Sequence, residues 1–323
     1  MITRRRFGTI AAASIFAPAF AGRAASAQPW PTRFVRFIVP FPAGVAPDIG
    51  CRLLAGRLSE MWGQQAVVEN KPGAGGNVGT ETVAHSAPDG YTVLMAAFTH
   101  AVNVSLYRSI GYDPVADFQP VTLLSYQPCV MIVPNSSPLQ SVADFIGYAK
   151  ANPGKISYAS AGHGTSPHLC GELFKRMAGI EMTHVPYRTG AQQDLVAGHV
   201  DAMFAVAPFD LLRAGHARGL AVTTAKRVPA APELPTLAES GLPGFDVAPW
   251  WGLFLPARTA PEVVARLHSD TVAVLAEPEI RKRMLDLGST QVGSTPAELA
   301  RHLQAEIAKW GPLIRDANIR LDG

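Results

Sequence analysis

The chain has 323 residues, of which 48% are hydrophobic and 16% are charged, so it can bury a large core. Lys and Arg number 28 and Asp and Glu number 25, but four of the arginines (Arg4, Arg5, Arg6 and Arg23) precede residue 27. Without these four the chain carries 24 basic and 25 acidic side chains, a formal net charge of −1. This balance excludes the strongly basic surface that is typical of nucleic-acid-binding proteins.

The first 27 residues have the organisation of a secretory signal peptide. Arg4-Arg5-Arg6 is followed by an apolar run from Ile10 to Ala21 and by the A-x-A pattern Ala25-Ser26-Ala27. The arginines fit a twin-arginine export signal, and a plain basic region explains them nearly as well. The apolar run is short and interrupted by Pro18, and no later stretch reaches the roughly 20 apolar residues that a membrane span needs. We therefore expect an exported protein, cleaved near Ala27.

The sequence has three cysteines, Cys51, Cys129 and Cys170. Because the number is odd, at least one thiol stays free or pairs with another chain. There is no CxxC motif and no Cys/His spacing typical of metal ligands. The sequence thus predicts no disulfide framework, no metal site and no cofactor.

Short strands alternate with helices in the first part of the chain, a pattern that predicts a parallel sheet with ligands beyond the carboxyl ends of its strands. The predicted strands are 34–39, 65–70 and 91–95, and the predicted helices are 49–62 and 80–87. The last of these strands ends at Phe98-Thr99-His100, on the same sheet edge as Gly44. The run 118–133 is too long for one ordinary strand, so we interpret it as leaving the first sheet and entering a second.

The alternation then starts again. It predicts helices at 142–152, 169–178 and 192–197 and strands at 156–160, 183–187, 200–206 and 220–224. The extended run 245–255 returns to the first unit, and helices follow at 261–275, 278–287 and from the capping box of Thr295 and Glu298 to about Trp310. The predicted fold is α/β, with two domains (28–126 with 248–323, and 127–247) joined by two crossing strands with a ligand cleft between them.

Two strand-to-helix loops are the candidate binding elements. Loop A (residues 40–48) follows the first strand, with Asp48 as the predicted N-cap; loop B (residues 162–168) precedes the helix from residue 169, with Ser166 as the predicted cap and Pro167 at its first position. Helix N-termini expose unpaired N–H groups and bind anions. The sequence therefore predicts two anion sites.

A glycine-rich segment at residues 73–79 resembles a dinucleotide fingerprint. Its spacing is G-x-G-G-x-x-G instead of G-x-G-x-x-G, and no nucleotide pool is expected outside the cytoplasm. We therefore do not assign nucleotide binding to it.

Five segments, spread in order along the chain, carry a resemblance to a known family. They are Pro40 to Gly44 with Asp48, Val68 to Asn77, Pro88 to Tyr91, Gly164 to Leu169 with Glu172 to Phe174, and His184 to Tyr187. In these segments the sequence resembles the periplasmic solute-binding proteins of tripartite tricarboxylate transporters, also called Bug receptors. The resemblance implies a two-lobed periplasmic binding protein of type II-like fold. It also implies a small carboxylate ligand held largely by backbone N–H groups and water, and a two-subunit membrane permease as partner.

The sequence departs from the family pattern in loop A. The family usually has a second glycine where this chain has Val45, and Thr or Ser where it has Pro47. Val45 adds bulk, and Pro47 has neither an N–H nor a hydroxyl. We therefore expect a carboxylate with an apolar or aromatic body to be preferred over citrate.

The predicted ligand-binding residues come from both loops and from neighbouring strand ends: Phe41, Gly44, Val45, Ala46, Asp48, Phe98, Thr99, Gly164, Thr165, Ser166, His168, Tyr187 and Phe209. Alternatives stay open for several of them. His168 either contacts a ligand carboxylate or hydrogen-bonds its own loop. Trp250 and Trp251 either line the cleft or pack the hinge, and Arg188 either reaches a distal carboxylate or is a surface residue.

Catalysis is not indicated, because the sequence has neither a G-x-S-x-G nor an H-E-x-x-H motif. The predicted protein is a monomeric periplasmic receptor for a di-, tri- or aromatic carboxylate. A sensor input protein for a signalling receptor would use the same site, and an exported hydrolase is the third possibility.

Overall fold

The computed structural model describes residues 30–321, so the predicted signal peptide lies outside the described residues. The strands are β1 (Val35–Val39), β2 (Ala66–Asn70), β3 (Thr92–Ala97), β4 (Phe118–Tyr126), β5 (Cys129–Pro134), β6 (Ile156–Ser160), β7 (Met182–Pro186), β8 (Ala202–Val206), β9 (Ala217–Val222), β10 (Trp250–Pro256) and β11 (Thr290–Gln291).

The helices are α1 (Ala46–Trp62), α2 (Asn77–Ala84), α3 (Thr99–Leu106), α4 (Val142–Ala151), α5 (Ser166–Ala178), α6 (Ala191–Val196), α7 (Phe209–Arg213), α8 (Pro261–Ala276), α9 (Pro278–Asp286) and α10 (Pro296–Asp316). The predicted capping box at the start of α10 is present, with Thr295 and Glu298 bonded reciprocally. No helix within residues 30–321 combines the length and the apolar character that a bilayer span requires.

The strands form two sheets. The six-stranded sheet has the order β11-β4-β10-β3-β1-β2, with β1 parallel to β2 and β3 and with β10 antiparallel to β3 and β4. The five-stranded sheet has the order β7-β6-β8-β5-β9, with β6 parallel to both of its neighbours. The predicted fold class, two α/β units joined by two crossing strands, is confirmed.

The chain changes sheet twice, and the two crossing segments lie side by side. Between β4 and β5, Gln127 donates its backbone N–H to the carbonyl of Pro249 at 2.7 Å and its side-chain amide to the carbonyl of Leu287 at 2.6 Å. The change of sheet falls between Tyr126 and Cys129, and again between Val222 and Trp250. The domain boundaries at 126/127 and 247/248 stay a prediction.

A buried cluster connects the two units. It contains Ile38 and Leu94 of the first sheet together with Met131 and Phe204 of the second, so the two sheets share a core. The three thiols of Cys51, Cys129 and Cys170 are also buried, and none forms a disulfide with another cysteine of residues 30–321.

Several details differ from the prediction, which did not include α3, α7 or β11. The strand predicted over 245–255 begins only at Trp250; the segment before it is not in a sheet, although Phe245 and Val247 are buried in the core. The chain after β3 turns directly into α3, with Phe98 as its N-cap. The N-cap position carries no Gly, Pro or polar capping residue, which is why the sequence pattern did not reveal this helix.

Candidate functional site

Loops A and B have the same backbone conformation at the two residues that precede their helices. Gly44 (φ +85°) and Gly164 (φ +73°) are both in the left-handed region, which glycine adopts without a steric penalty. The residue after each glycine is the N-cap and is extended: Val45 has φ −80° and ψ 160°, and Thr165 has φ −71° and ψ 159°. Each loop therefore enters its helix along the same path.

The same hydrogen bond closes both loops. The N–H of Gly44 donates to Oδ2 of Asp48 at 2.9 Å, and the N–H of Gly164 donates to Nδ1 of His168 at 3.0 Å. Asp48 and His168 are each the third residue of their helix, so the side chain reaches back to the residue before the N-cap. The predicted N-cap roles of Asp48 and Ser166 are therefore wrong.

Each helix begins with N–H groups that the helix itself does not use. Pro47 and Pro167, the second residues of α1 and α5, have no N–H. Within residues 30–321, no hydrogen bond uses the N–H of Ala46 or of Ser166. Both residues are half-buried, and both lie at the positive end of a helix. This arrangement suits a bound anion.

Asp48 is held by three donors. Besides the Gly44 N–H, its carboxylate accepts the side-chain amide of Asn70 at 2.8 Å and the guanidinium of Arg52 at 3.0 Å. Burial on its own raises the pKa of Asp48, but these hydrogen bonds outweigh it and hold the pKa below its ordinary value. Asp48 is 2% exposed and its carboxylate is fully engaged, so it fixes the conformation of loop A; its contact with a ligand stays a prediction.

The loop after β2 supports loop A. The α-carbon of Gly76 (φ +100°) faces Pro40 and Thr99: a Cβ there would lie 3.5 Å from the Pro40 carbonyl oxygen and 3.6 Å from Oγ1 of Thr99. Asn103 donates its amide to the carbonyl of Gly75 and to the side chain of Asn77. The structure thus brings the predicted residue Thr99 beside loop A. The asparagines that hold this region were not identified from the sequence.

Loop B carries a histidine cluster. The ring of His168 stacks on the ring of His184 with centroids 3.9 Å apart, and His163 contacts both rings edge-on. Burial and the neighbouring His184 and His163 lower the pKa of His168 to about 3, and burial lowers the pKa of His184 to about 4. Both imidazoles are therefore neutral at physiological pH. Because Nδ1 of His168 accepts the Gly164 N–H, its ring proton is on Nε2.

Other predicted site residues are engaged elsewhere. Phe98 packs edge-on against Trp310, with centroids 5.2 Å apart, and Phe209 is buried in the core of the second unit. The hydroxyl of Tyr187 donates to Asp194 at 2.7 Å. Phe41 is half-buried beside the core of the first unit. Of these four residues, Phe98 and Phe209 are buried, at 4% and 5% exposure, and their contact with a ligand stays a prediction.

The structure shows the burial of three further side chains for which the sequence left alternatives open. Trp250 and Trp251 are 1% and 3% exposed and pack into two different core clusters, so neither lines a cleft. Arg188 is an exposed surface residue.

Comparison with known proteins gives concordant results. The model of the family described as "Tripartite tricarboxylate transporter family receptor" matches residues 51–319. The chain is 34% identical over 318 residues to protein BugT of Bordetella pertussis, covering 97% of this chain and 96% of BugT.

Solved structures agree with this result. Rpa4515 of R. palustris with adipate superposes with a TM-score of 0.79 at 40% identity, covering 90% of this chain and all of that chain (100%). MatC of Rhodopseudomonas palustris with bound malate superposes with a TM-score of 0.76 at 33% identity, covering 88% and 100%. The similarity extends across the whole described fold.

Proposed function

Because this chain belongs to the receptor family of tripartite tricarboxylate transporters, which includes the Bug proteins, we propose that it captures a small organic carboxylate in the periplasm. The ligand is a dicarboxylate with an apolar body, of which adipate is one example. The protein closes its two units on this ligand and presents it to a two-subunit membrane permease.

The repeated loop geometry carries this proposal. Loops A and B each combine a left-handed glycine, an extended N-cap and a proline, and each leaves an N–H free at a helix N-terminus. Two such loops provide one anion site for each end of a dicarboxylate. Backbone N–H groups are pre-oriented, so a ligand binds them without the entropy cost of ordering side chains.

The composition of loop A supports an apolar ligand body. Val45 is 39% exposed, and Pro47 offers no donor at the surface of this loop. No lysine or arginine lies within loop A or loop B. A third carboxylate, as in citrate, would therefore lack a charged partner from either loop. Two relatives have adipate and malate bound, and both are dicarboxylates.

A thermal-shift panel tests the proposal, because a ligand that binds only the folded state raises the melting temperature by mass action. The panel contains adipate, malate, citrate, benzoate, amino acids and sugars, and the protein is purified from the periplasm. We expect the largest shift with adipate or a similar dicarboxylate. A largest shift with citrate contradicts the preference for an apolar body. A shift confined to sugars or amino acids contradicts carboxylate binding itself.

The partner and the location need separate tests. We propose that the protein is a monomeric receptor in the periplasm and that it does not chemically alter its ligand. Fractionation of cells that express the whole chain, with cytoplasmic and periplasmic marker proteins as controls, tests the location. Mass spectrometry of adipate after long incubation with the protein tests for catalysis, and the expected result is unchanged adipate. Solute uptake that requires both this chain and a two-subunit permease tests the partner.

A further inference from the structure

Three histidines from different elements meet beside loop B. They are His163 in the loop, His168 in α5 and His184 in β7, and each offers one ring nitrogen such that the three atoms lie within 4.8 Å of one another. The pairing of β6 with β7 places His184 opposite Tyr158, two residues before the end of β6, and loop B follows that strand. The sequence spacing shows no such cluster, because the fold alone brings the three residues together.

We propose that His163, His168 and His184 form a binding site for a divalent transition-metal ion, with Zn²⁺ or Cu²⁺ as the best-suited ions. Neutral imidazole is the preferred nitrogen ligand of both ions. Three imidazoles leave a fourth coordination position for water or an anion.

The cluster must rearrange to bind an ion, and the loop around His163 has the freedom to do so. A Zn–N bond of about 2.1 Å in a tetrahedral site places ligand nitrogens about 3.4 Å apart, so the present spacing of up to 4.8 Å must contract by about 1.4 Å at most. His163 is exposed and lies between Gly162 (φ +114°) and Gly164 (φ +73°), which let the loop adjust. His168 and His184 are nearly parallel, at 21°, so the half-buried ring of His184 must tilt to share an ion.

One oxygen atom is hydrogen-bonded to a ligand ring, and a second oxygen lies near another ring but outside hydrogen-bond distance. Ser160 Oγ lies 2.6 Å from Nε2 of His184, and Glu172 Oε1 lies 4.0 Å from Nε2 of His168. Metal-bound histidines commonly direct their second nitrogen to such an oxygen, which fixes the ring and its tautomer. Lys175 is the nearby cation, but its ammonium is held by both oxygens of Glu172, at 3.0 and 2.9 Å. Its charge is therefore compensated.

Metal binding requires one change in loop B. Coordination through Nδ1 of His168 takes the lone pair that now accepts the Gly164 N–H, and coordination through Nε2 moves the ring proton to Nδ1. In either case the Gly164–His168 hydrogen bond is lost. The ion and the present form of loop B therefore exclude each other. If loop B binds carboxylate, as proposed above, the metal weakens carboxylate binding; the metal site itself does not rest on that function.

Calorimetric titration of the untagged protein with ZnCl₂ at neutral pH tests the site directly. We expect one ion per chain, and we expect His163→Asn and His184→Gln each to weaken binding by at least about tenfold. The matched control is His216→Asn, which removes an exposed histidine outside the cluster and should leave binding unchanged. Unchanged melting temperatures of the ion-free variants confirm that they are folded.

Two results would contradict the proposed metal site. One is the lack of saturable binding up to about 1 mM Zn²⁺, an affinity too weak for three imidazoles acting together. The other is equal loss of binding in His163→Asn and His216→Asn, which would indicate scattered surface histidines. Titration with Co²⁺ gives an independent measurement, because an ion in a four-coordinate imidazole site absorbs visible light strongly and the His163→Asn variant should lose that absorption. Neither of these results would contradict adipate binding, because that binding is measured without metal.

Discussion

The backbone N–H of Gly164 donates a hydrogen bond of 3.0 Å to Nδ1 of His168. Gly44 makes the same bond to Asp48 in the other unit, across the same number of residues. The two loops therefore share a shape while their acceptors differ: one is an ionised carboxylate and the other a neutral imidazole. The fold thus builds two similar helix-entry loops from unlike side chains, and the loop glycines become sensitive positions.

The two glycines should respond differently to the same substitution. Gly44→Ala adds a methyl group with no heavy atom within 4 Å, so only the left-handed backbone is penalised, by about 1 kcal/mol. Gly164→Ala places its methyl group 2.8 Å from Cδ1 of Leu106 and 3.1 Å from Cδ1 of Leu321, and we expect a loss of about 2–3 kcal/mol. Urea unfolding of both variants measures the difference. Equal losses would mean that the contacts of Gly164 do not constrain loop B.

The carboxylate of Asp48 should be essential for stability. Asp48→Asn turns an acceptor of three hydrogen bonds into a group with two donors of its own, which leaves buried donors facing each other; we expect a loss of about 2–3 kcal/mol at neutral pH. Its pKa is lowered in the folded state, so this contribution is present above the unfolded pKa of 3.8 and is lost as the pH falls through the lower, folded pKa. The difference in unfolding free energy between the wild type and Asp48→Asn, measured by urea unfolding, should therefore shrink as the pH falls.

The control for this measurement is Asp89→Asn. Asp89 pairs with Arg33 at 2.9 Å, but both side chains are about half exposed, at 42% and 54%. Exposed ion pairs of this kind contribute less than about 1 kcal/mol. An Asp48→Asn variant as stable as Asp89→Asn would show that the Asp48 network does not hold loop A.

The elements of the fold could be predicted because their signals are local. The alternation of short apolar strands with helices is visible in the sequence, and the capping box of Thr295 and Glu298 marks the start of α10. The start of α3 had no such signal, since its N-cap is Phe98. Similarly, the strand β10 looked longer than it is, because Phe245 and Val247 are as apolar as strand residues but are buried outside the sheet.

The candidate site was only partly predictable. Loops A and B were located from Pro, Gly and the strand ends, all of which are local features. The partner that each side chain chooses depends on the tertiary structure: Asp48 meets Asn70 from another strand, and His168 meets His184 through the pairing of β6 with β7. Phe98 was placed at the right sheet edge, but packing against Trp310 turns it into the core.

A buried histidine should make the protein sensitive to acid. Burial lowers the pKa of His100 to about 4, with a partly opposing contribution from its hydrogen bond to the carbonyl of Pro114. Between pH 6.5 and 4 the unfolded chain binds a proton at His100 that the folded chain does not, so stability falls as the pH falls, by roughly 3 kcal/mol over this window. Above pH 6.5 this contribution does not change.

Unfolding of the wild type and of His100→Phe, compared at several pH values in that window, measures the contribution. The aromatic replacement suits a site lined by Tyr112, Phe118 and Phe254, although it gives up the bond to Pro114. We expect the variant to lose less stability on acidification, while the exposed-residue control His216→Asn follows the wild type. The same acid dependence in all three proteins would assign the effect to other groups.

A substitution of Ser166 should distinguish a role in ligand binding from a role in folding. It is the first residue of α5 and half-buried, and it is not the N-cap, since that position belongs to Thr165. Ser166→Tyr places a bulky ring over the free N–H groups of loop B, so we expect the thermal shift with adipate to disappear while the ligand-free melting temperature changes by less than about 3 °C. Ser269→Tyr, on the exposed face of α8, is the matched control and should bind normally. A large fall in the ligand-free melting temperature of Ser166→Tyr would make this serine a structural residue, and an undiminished shift would place the ligand away from loop B.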